Sequence, residues 1–165
     1  MGDRDLLSDR SDLVVPESIQ VDAGLAPERA RHMVLVTQLL YTFWHTGDVA
    51  YLRQAVAPEF VDNTLPPGRP AGIDGVMVAS RSFRAAVPDL TCGLEDVIIA
   101  GDKIAVRLRF RGTFSGRSGE VMGRGQAVDF TAFDIQHVGP ERIIEDWHLE
   151  DNLTFLTQAG LIPRG

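Results

Sequence analysis

The sequence has few of the residues that support covalent or metal chemistry. Its 165 residues include one cysteine, Cys92, which excludes an internal disulfide and a zinc site built from several cysteines. Lys103 is the only lysine among 16 basic residues, and its place in the turn Gly101-Asp102-Lys103 argues against a buried Schiff-base lysine. No two histidines have the spacing of metal ligands, so no metal site is expected.

Long apolar runs and an excess of positive charge are also missing. The apolar runs are far shorter than the ~20 residues of a membrane helix, and a net charge of −7 leaves no basic stripe. We therefore expect neither nucleic acid nor a membrane as a partner. Residues 1–26 are acidic and lack the basic and apolar regions of a signal peptide. They are predicted to be a flexible, solvated tail of a cytoplasmic protein.

Residues 27–165 have the composition of one globular domain, since the chain is 44% hydrophobic and 24% charged. Apolar periodicity and capping residues predict helices from Pro27 to about residue 46 and over 49–56, 73–86 and 152–159. Alternation and turn residues predict strands over 90–100, 103–114, 126–138 and 142–149. Three helices followed by an antiparallel meander indicate an α+β fold, with helices on one face of a curved antiparallel sheet.

The last predicted hairpin brings an acid opposite a histidine. If its turn centres on Glu141, Val138 faces Ile144 and Asp134 faces His148. A carboxylate that orients an imidazole is typical of a general base; an ordinary ion pair on a solvated surface is the alternative. The same face of the two strands also carries Phe130, Ala132 and Asp146.

Three other features have two interpretations each. Tyr41 and Trp44, three residues apart on the first helix, either pack in the core or line a pocket. Asp62-Asn63 either form a turn or belong to a cavity wall. The glycine-rich segment Ser115–Gly125 is either a simple connection or a lid.

A series of motifs resembles the SnoaL-like polyketide cyclase family. The resemblance extends from about Met33 to Pro163 and is carried, in order, by residues 41–48 (YTFWHTGD), 60–68 (FVDNTLPPG), 83–90 (FRAAVPDL), 111–116 (RGTFSG), 142–152 (RIIEDWHLEDN) and 158–163 (QAGLIP). It implies a cone-shaped barrel in which three N-terminal helices pack on a curved antiparallel sheet, as in nuclear transport factor 2 and ketosteroid isomerase. It also implies a single domain over residues 27–165.

The resemblance further implies a reaction and a site. The cyclases of this family close a ring by intramolecular aldol condensation on an aromatic polyketide ester, without metal or cofactor. Their acid/base is an aspartate just after a tryptophan of the last strand, with a histidine on the facing strand. Here His148 follows Trp147 and Asp134 faces it, so the two members are exchanged. Asn63 and Phe114 stand where many relatives carry histidine.

These observations predict a cofactor-independent cyclase or isomerase with a hydrophobic substrate. His148 is the predicted acid/base and Asp134 its orienting partner, and the predicted substrate contacts are Tyr41, Trp44, Asn63, Phe114, Phe130, Ala132 and Asp146. The alternatives are a non-catalytic binder of a hydrophobic molecule, and a dehydratase or oxygenase-assisting member of the family. The family resemblance and the arginines at 107, 109 and 111 on one strand face predict a homodimer joined through the sheet.

Overall fold

The computed structural model describes residues 3–162, apart from the side chains of residues 3 and 4. After a short 3-10 turn, Asp3–Leu6, the helices are α1 (Pro27–Thr46), α2 (Val49–Ala55), α3 (Gly72–Ala86) and α4 (Asn152–Ala159). Within residues 3–162, no helix has both the length and the apolar character needed to cross a membrane.

The helices begin and end where the sequence predicts. Pro27 opens α1, because the first turn has no use for the missing N–H. Gly47 ends α1 with φ of 79°, a left-handed conformation that glycine adopts without strain. The side chain of Asp48 accepts a hydrogen bond from the N–H of Ala50 at the start of α2. Asp151 caps α4 in the same way.

A six-stranded sheet faces the helices, and it confirms the α+β fold. Its strands are β1 (Ser18–Val21), β2 (Val56–Asp62), β3 (Thr91–Ala100), β4 (Lys103–Phe114), β7 (Gln126–Val138) and β8 (Ile143–Glu150). The spatial order is β1-β3-β4-β7-β8-β2. The central pairs are antiparallel, but β1 pairs parallel to β3 and β2 parallel to β8. The sheet is therefore mixed, because neither edge strand joins its neighbour through a hairpin.

The structure corrects the expectation of a solvated tail for the described part of residues 1–26. Strand β1 extends the sheet, and the N–H of Glu17 donates to the carbonyl of Leu94. Leu6, Leu13 and Ile19 are each at most 7% exposed and belong to the core. The acidic residues between them obscured this pattern, because they give the segment the composition of a disordered one.

The β7–β8 hairpin contains an irregularity that the symmetric count does not predict. His137 pairs with Glu145, but Val138 pairs with Ile143 rather than with Ile144. The extra residue is a bulge next to the turn. Beyond it the predicted pairing holds, and Asp134 lies directly opposite the residue at position 148.

The glycine-rich segment forms a small hairpin of its own, β5 (Arg117–Ser118) and β6 (Val121–Met122). The N–H of Gly116 donates to the carbonyl of Ala86, which fixes the segment against the end of α3. None of residues 115–125 lines the cavity described below. These contacts favour the interpretation of the segment as a connection.

The arginine ladder of β4 is neutralised within the chain. The guanidinium groups of this face pair with nearby carboxylates: Arg107 with Glu95 and Asp96, and Arg109 and Arg111 with Asp129. The ladder therefore needs no acids from a second subunit. Contrary to the expectation from sequence, the ladder does not predict a dimer, because the two neighbouring strands already supply the countercharges.

Candidate active site

The concave face of the sheet and helices α1 and α3 enclose a cavity of about 930 Å³, a volume that includes its opening to solvent. Much of its wall is aromatic. The rings of Phe110 and Phe130 stack with centroids 5.4 Å apart, and Trp44 meets Phe110 edge to face at 6.0 Å. Such a wall favours a flat apolar ligand.

A layer of ionisable side chains lies against this aromatic wall. Residues of alternating number on a strand share one face, so a single strand places several acids in the same cavity. The layer takes Asp62 from the end of β2, Asp134 from β7, and Asp146, His148 and Glu150 from β8. The cavity therefore combines an apolar pocket with several groups able to hold or move protons.

The imidazole of His148 is held between two carboxylates. Its Nδ1 lies 2.7 Å from Oε1 of Glu150 and its Nε2 lies 3.1 Å from Oδ2 of Asp62. Burial alone lowers the pKa of His148, but the hydrogen bonds and charges of Glu150 and Asp62 outweigh it and raise that pKa to about 10. At neutral pH the ring is an imidazolium that donates from both nitrogens. It has no free nitrogen with which to accept a proton.

Asp134 is bonded to a tyrosine rather than to the facing histidine. The hydroxyl of Tyr41 donates to Oδ2 of Asp134 at 2.5 Å and accepts from Nε2 of Gln136 at 2.5 Å. Burial raises the pKa of Asp134 to about 6, while the hydrogen bond from Tyr41 and the charge of His148 oppose this increase. A carboxylate with a pKa close to neutrality is able both to accept and to return a proton.

Asp146 is another buried carboxyl of this layer. It is 8% exposed, and its Oδ1 has no hydrogen-bond partner. Burial, with the charge of Asp134 as the next cause, raises the pKa of Asp146 to about 8. At neutral pH the group is a neutral carboxylic acid.

The structure separates the predicted site residues into two groups. His148, Asp134, Trp44, Phe130, Ala132 and Asp146 line the cavity. Tyr41 and Phe114 are fully buried and do not line it, although Tyr41 touches the site through Asp134. Asn63 is exposed and donates to Oε2 of Glu145 outside the cavity. The predicted hydrogen bond between Asp134 and His148 is not formed, since both imidazole nitrogens bond other carboxylates.

Several residues of the site were missed at the level of sequence. Glu150 lies two residues after His148, so the alternation of β8 that places His148 inside also places Glu150 there. Phe110 follows from the same count along β4. No local pattern predicts Arg69, which reaches the cavity from the loop before α3. Within the described part of the chain, no group of three or more His, Cys, Asp or Glu side chains is placed to hold a metal ion.

The α+β fold thus encloses an aromatic cavity whose wall carries buried, titratable carboxyls, the combination found at many active sites. A sequence model of the SnoaL-like polyketide cyclase family matches residues 34–159. The chain belongs to this family. No match is found among curated proteins.

Solved structures agree with this assignment. A protein from Bacillus cereus ATCC 10987, described as a "putative polyketide cyclase", is 39% identical over 95% of this chain and 99% of its own, with a TM-score of 0.85. IdmH from Streptomyces antibioticus, described in the same words, is 30% identical over 78% of this chain and 98% of its own, with a TM-score of 0.70. AclR from Streptomyces galilaeus, described as a "putative hydroxylase", shares the fold at 19% identity, over 82% of this chain and 85% of its own, with a TM-score of 0.69.

Proposed function

We propose that this protein is a cofactor-independent cyclase that acts by acid/base chemistry on an aromatic polyketide-like substrate. The observation that carries the proposal is the buried carboxylate of Asp134, which lines an aromatic cavity and has a pKa of about 6. A protein that only carried a hydrophobic molecule would gain nothing from burying such a group, because burial of a charge is costly.

The proposed reaction is an intramolecular aldol closure. The carboxylate of Asp134 accepts an acidic proton from a carbon next to a carbonyl, and the electron pair of the broken C–H bond forms an enolate. The enolate carbon then attacks a second carbonyl of the same molecule and forms the new C–C bond. Asp134 returns the proton to the resulting alkoxide, so the enzyme ends in its starting state.

The remaining polar groups have supporting roles in this proposal. Tyr41 holds the carboxylate in position, and the imidazolium of His148 keeps it ionised through its positive charge. This assignment moves the acid/base function from His148 to Asp134. The reason is that His148 has both nitrogens engaged and stays protonated at neutral pH.

Hydrogen exchange tests the proposed function directly. An aromatic β-keto ester is incubated with the protein in heavy water, and loss of its acidic C–H signal is followed by NMR. We expect exchange well above that of buffer alone, with ring closure where the substrate has a second carbonyl within reach. A protein that binds the ester but leaves its exchange rate at the buffer value would be a carrier, and the proposal would fail.

Replacing Tyr41 with phenylalanine is expected to move the pH dependence of the reaction. The hydrogen bond from Tyr41 lowers the pKa of Asp134, so its loss raises that pKa and shifts the acid limb of the rate–pH profile upward by about one pH unit. Rates at pH 8 should change much less than rates at pH 6. Tyr51→Phe is the matched control, because its hydroxyl donates to Asp12 on the surface. An unshifted profile in Tyr41→Phe would contradict the positioning role.

We also propose a homodimer, joined through the outer face of the sheet. There the pairs Phe133–Leu149 and Ile135–Trp147 lie side by side on β7 and β8. Phe133 and Leu149 are 56% and 74% exposed, and Ile135 and Trp147 are 50% and 37% exposed. Large apolar side chains gathered on one face favour association.

Light scattering tests this interface. The wild-type chain should be a dimer at about 10 μM, since a standard interface associates more tightly than that. Leu149→Arg should convert it to a monomer. Leu153→Arg, which changes an equally exposed leucine on α4, should leave the dimer intact. A monomeric wild type would refute the proposal.

A further inference from the structure

The proposed reaction leaves a buried carboxyl of the cavity wall, that of Asp146, without a role. Asp146 lies on β8 between Gln136 of β7 and Asp62 of β2, and its side chain lines the cavity. The Oδ1 atom of its carboxyl is buried and has no hydrogen-bond partner within the part of the chain that the structure describes. Buried polar side chains in proteins almost always have a partner. An unpartnered carboxyl oxygen in a cavity wall is therefore a place where a ligand is expected to supply one.

The surroundings of Asp146 decide which partner it needs. The charged and titratable groups that face it are Asp62 from β2, Asp134 from β7, His148 and Glu150 from β8, and Tyr41 from α1 beyond Asp134. The carboxylates discourage a second negative charge here, and the imidazolium only partly offsets them. In its neutral form the carboxyl of Asp146 has one O–H to donate.

We propose that Asp146 is a catalytic hydrogen-bond donor that binds a carbonyl oxygen of the substrate beside the carboxylate of Asp134. Asp134 faces His148 while Asp146 faces Gln136, so the two carboxyls are diagonal neighbours across β7 and β8. Diagonal neighbours on one face of a strand pair lie about 7–8 Å apart, close enough to contact the same small molecule. The inference rests on the proposed function for the role of Asp134.

The other donors of this layer, and the hydroxyl that bonds Asp134, are already occupied, whereas Arg69 reaches the cavity from the loop before α3. Both nitrogens of His148 are used by Glu150 and Asp62. The hydroxyl of Tyr41 donates to Asp134 and is buried outside the cavity lining. Asp146 is thus the group in this layer with a proton to offer.

The donor role also defines the ligand and strengthens during the reaction. A neutral ketone or ester presents a carbonyl oxygen that accepts a hydrogen bond from Asp146, whereas a hydrocarbon leaves the O–H of Asp146 unpaired. A ligand with a carboxylate is repelled by the ionised acids of the layer. When Asp134 removes the C–H proton, the carbonyl oxygen gains negative charge. Its hydrogen bond from Asp146 then becomes stronger, which stabilises the enolate more than the bound substrate.

A pair of probes matched in size isolates this hydrogen bond without requiring turnover. We would measure by calorimetry the binding of 2-acetylnaphthalene, which has a ketone, and of 2-ethylnaphthalene, which does not. The ratio of the two affinities reports the contribution of the carbonyl. At pH 6.5 we expect the wild type to prefer the ketone by about fivefold to tenfold, which is the usual value of one hydrogen bond.

Two substitutions and a change of pH then identify the donor. Because the pKa of Asp146 is about 8, the wild-type preference should fall towards one at pH 9.5. Asp146→Asn should keep the preference at both pH values, since an amide N–H donates without titrating. Asp146→Leu should lose it at both, while still binding 2-ethylnaphthalene. Circular dichroism checks that the leucine variant is folded. If the leucine variant is unfolded, the asparagine variant still tests the inference.

Several results would overturn the inference. The first two are a ketone preference that survives Asp146→Leu and a wild-type preference that is unchanged at pH 9.5. The third is a preference in Asp146→Asn that falls as the pH rises, as in the wild type. The fourth is failure of both probes to bind the wild type. The outcome is separable from that of the proposed function. An Asp146-dependent ketone preference without hydrogen exchange would keep the binding role and refute the catalytic one.

Discussion

Replacing Asp134 with asparagine is expected to lower turnover of an aromatic β-keto ester by about 10²–10⁴-fold, the range for removal of one general acid/base. The amide has nearly the same shape and lines the same cavity wall, but it does not accept the carbon-bound proton. Substrate affinity should change little, because the aromatic wall that binds the flat part of the substrate is intact. The loss should therefore be found in kcat rather than in KM.

The pH dependence gives a second view of the same group. With a pKa of about 6, the carboxylate of the wild type is lost as the pH falls through this value, so the rate should decline on the acid side of pH 6. The residual rate of Asp134→Asn should lack this decline. Asp129→Asn is the matched control, since Asp129 lies on the same strand and pairs with arginines outside the cavity. Full activity in Asp134→Asn would remove Asp134 from the mechanism.

Replacing His148 with leucine is expected to lower the free energy of unfolding at pH 7 by about 3 kcal/mol, near the low end of the range for breaking a buried ion pair. The side chains of His148 and Asp62 are 15% and 6% exposed, so the substitution leaves a buried carboxylate without its cation. Glu150 loses its partner as well, but it is 32% exposed and is better able to reach water. Urea denaturation measures the difference.

The same contacts set how stability depends on pH. The pKa of His148 is raised from 6.5 to about 10 in the folded protein. Between these values the folded state holds a proton that the unfolded state has released, so the free energy of unfolding falls as the pH rises. Asp146 contributes in the same direction up to about pH 8. We therefore expect the decline between pH 8.5 and 10 to be present in the wild type and absent in His148→Leu.

His137→Leu is the control for this experiment. His137 also lies between two acids, Asp102 and Glu145, but at the surface, where its side chain is 26% exposed. Surface pairs contribute about 0–1 kcal/mol, so this variant should be close to the wild type. His148 would be neutral if His148→Leu lowered the free energy of unfolding as little as His137→Leu and if the wild-type free energy of unfolding did not change above pH 8.5. It would then again be a candidate base.

Much of the fold was predictable because its signals are local. Pro27, Asp48 and Asp151 mark helix starts through backbone groups within three residues of each. The strand β4 alternates between apolar and basic residues, and it forms over the predicted 103–114. The edge strand β1 was not predictable in the same way. Strand β1 is four residues long and depends on β3, which is far away in the chain.

The candidate site shows the same division. Alternation from one known inward residue finds its neighbours on a strand, so Asp134, Asp146 and His148 were all placed on one face by counting. Counting does not predict which side chains bond. Asp134 turned out to bond Tyr41, 93 residues away, and His148 to bond Asp62, 86 residues away.

The sequence by itself therefore determined the α+β fold, the SnoaL-like family and the opposition of Asp134 and His148 across the last hairpin. These depend on periodicity, capping and pairing rules that act over short distances or between adjacent strands. Only the tertiary structure decided the chemistry of each group. Burial and the arrangement of charges from α1, β2, β7 and β8 set the pKa values, and they make His148 a fixed cation and Asp134 a carboxylate able to exchange a proton. Those terms depend on three-dimensional distances that no spacing along the chain contains.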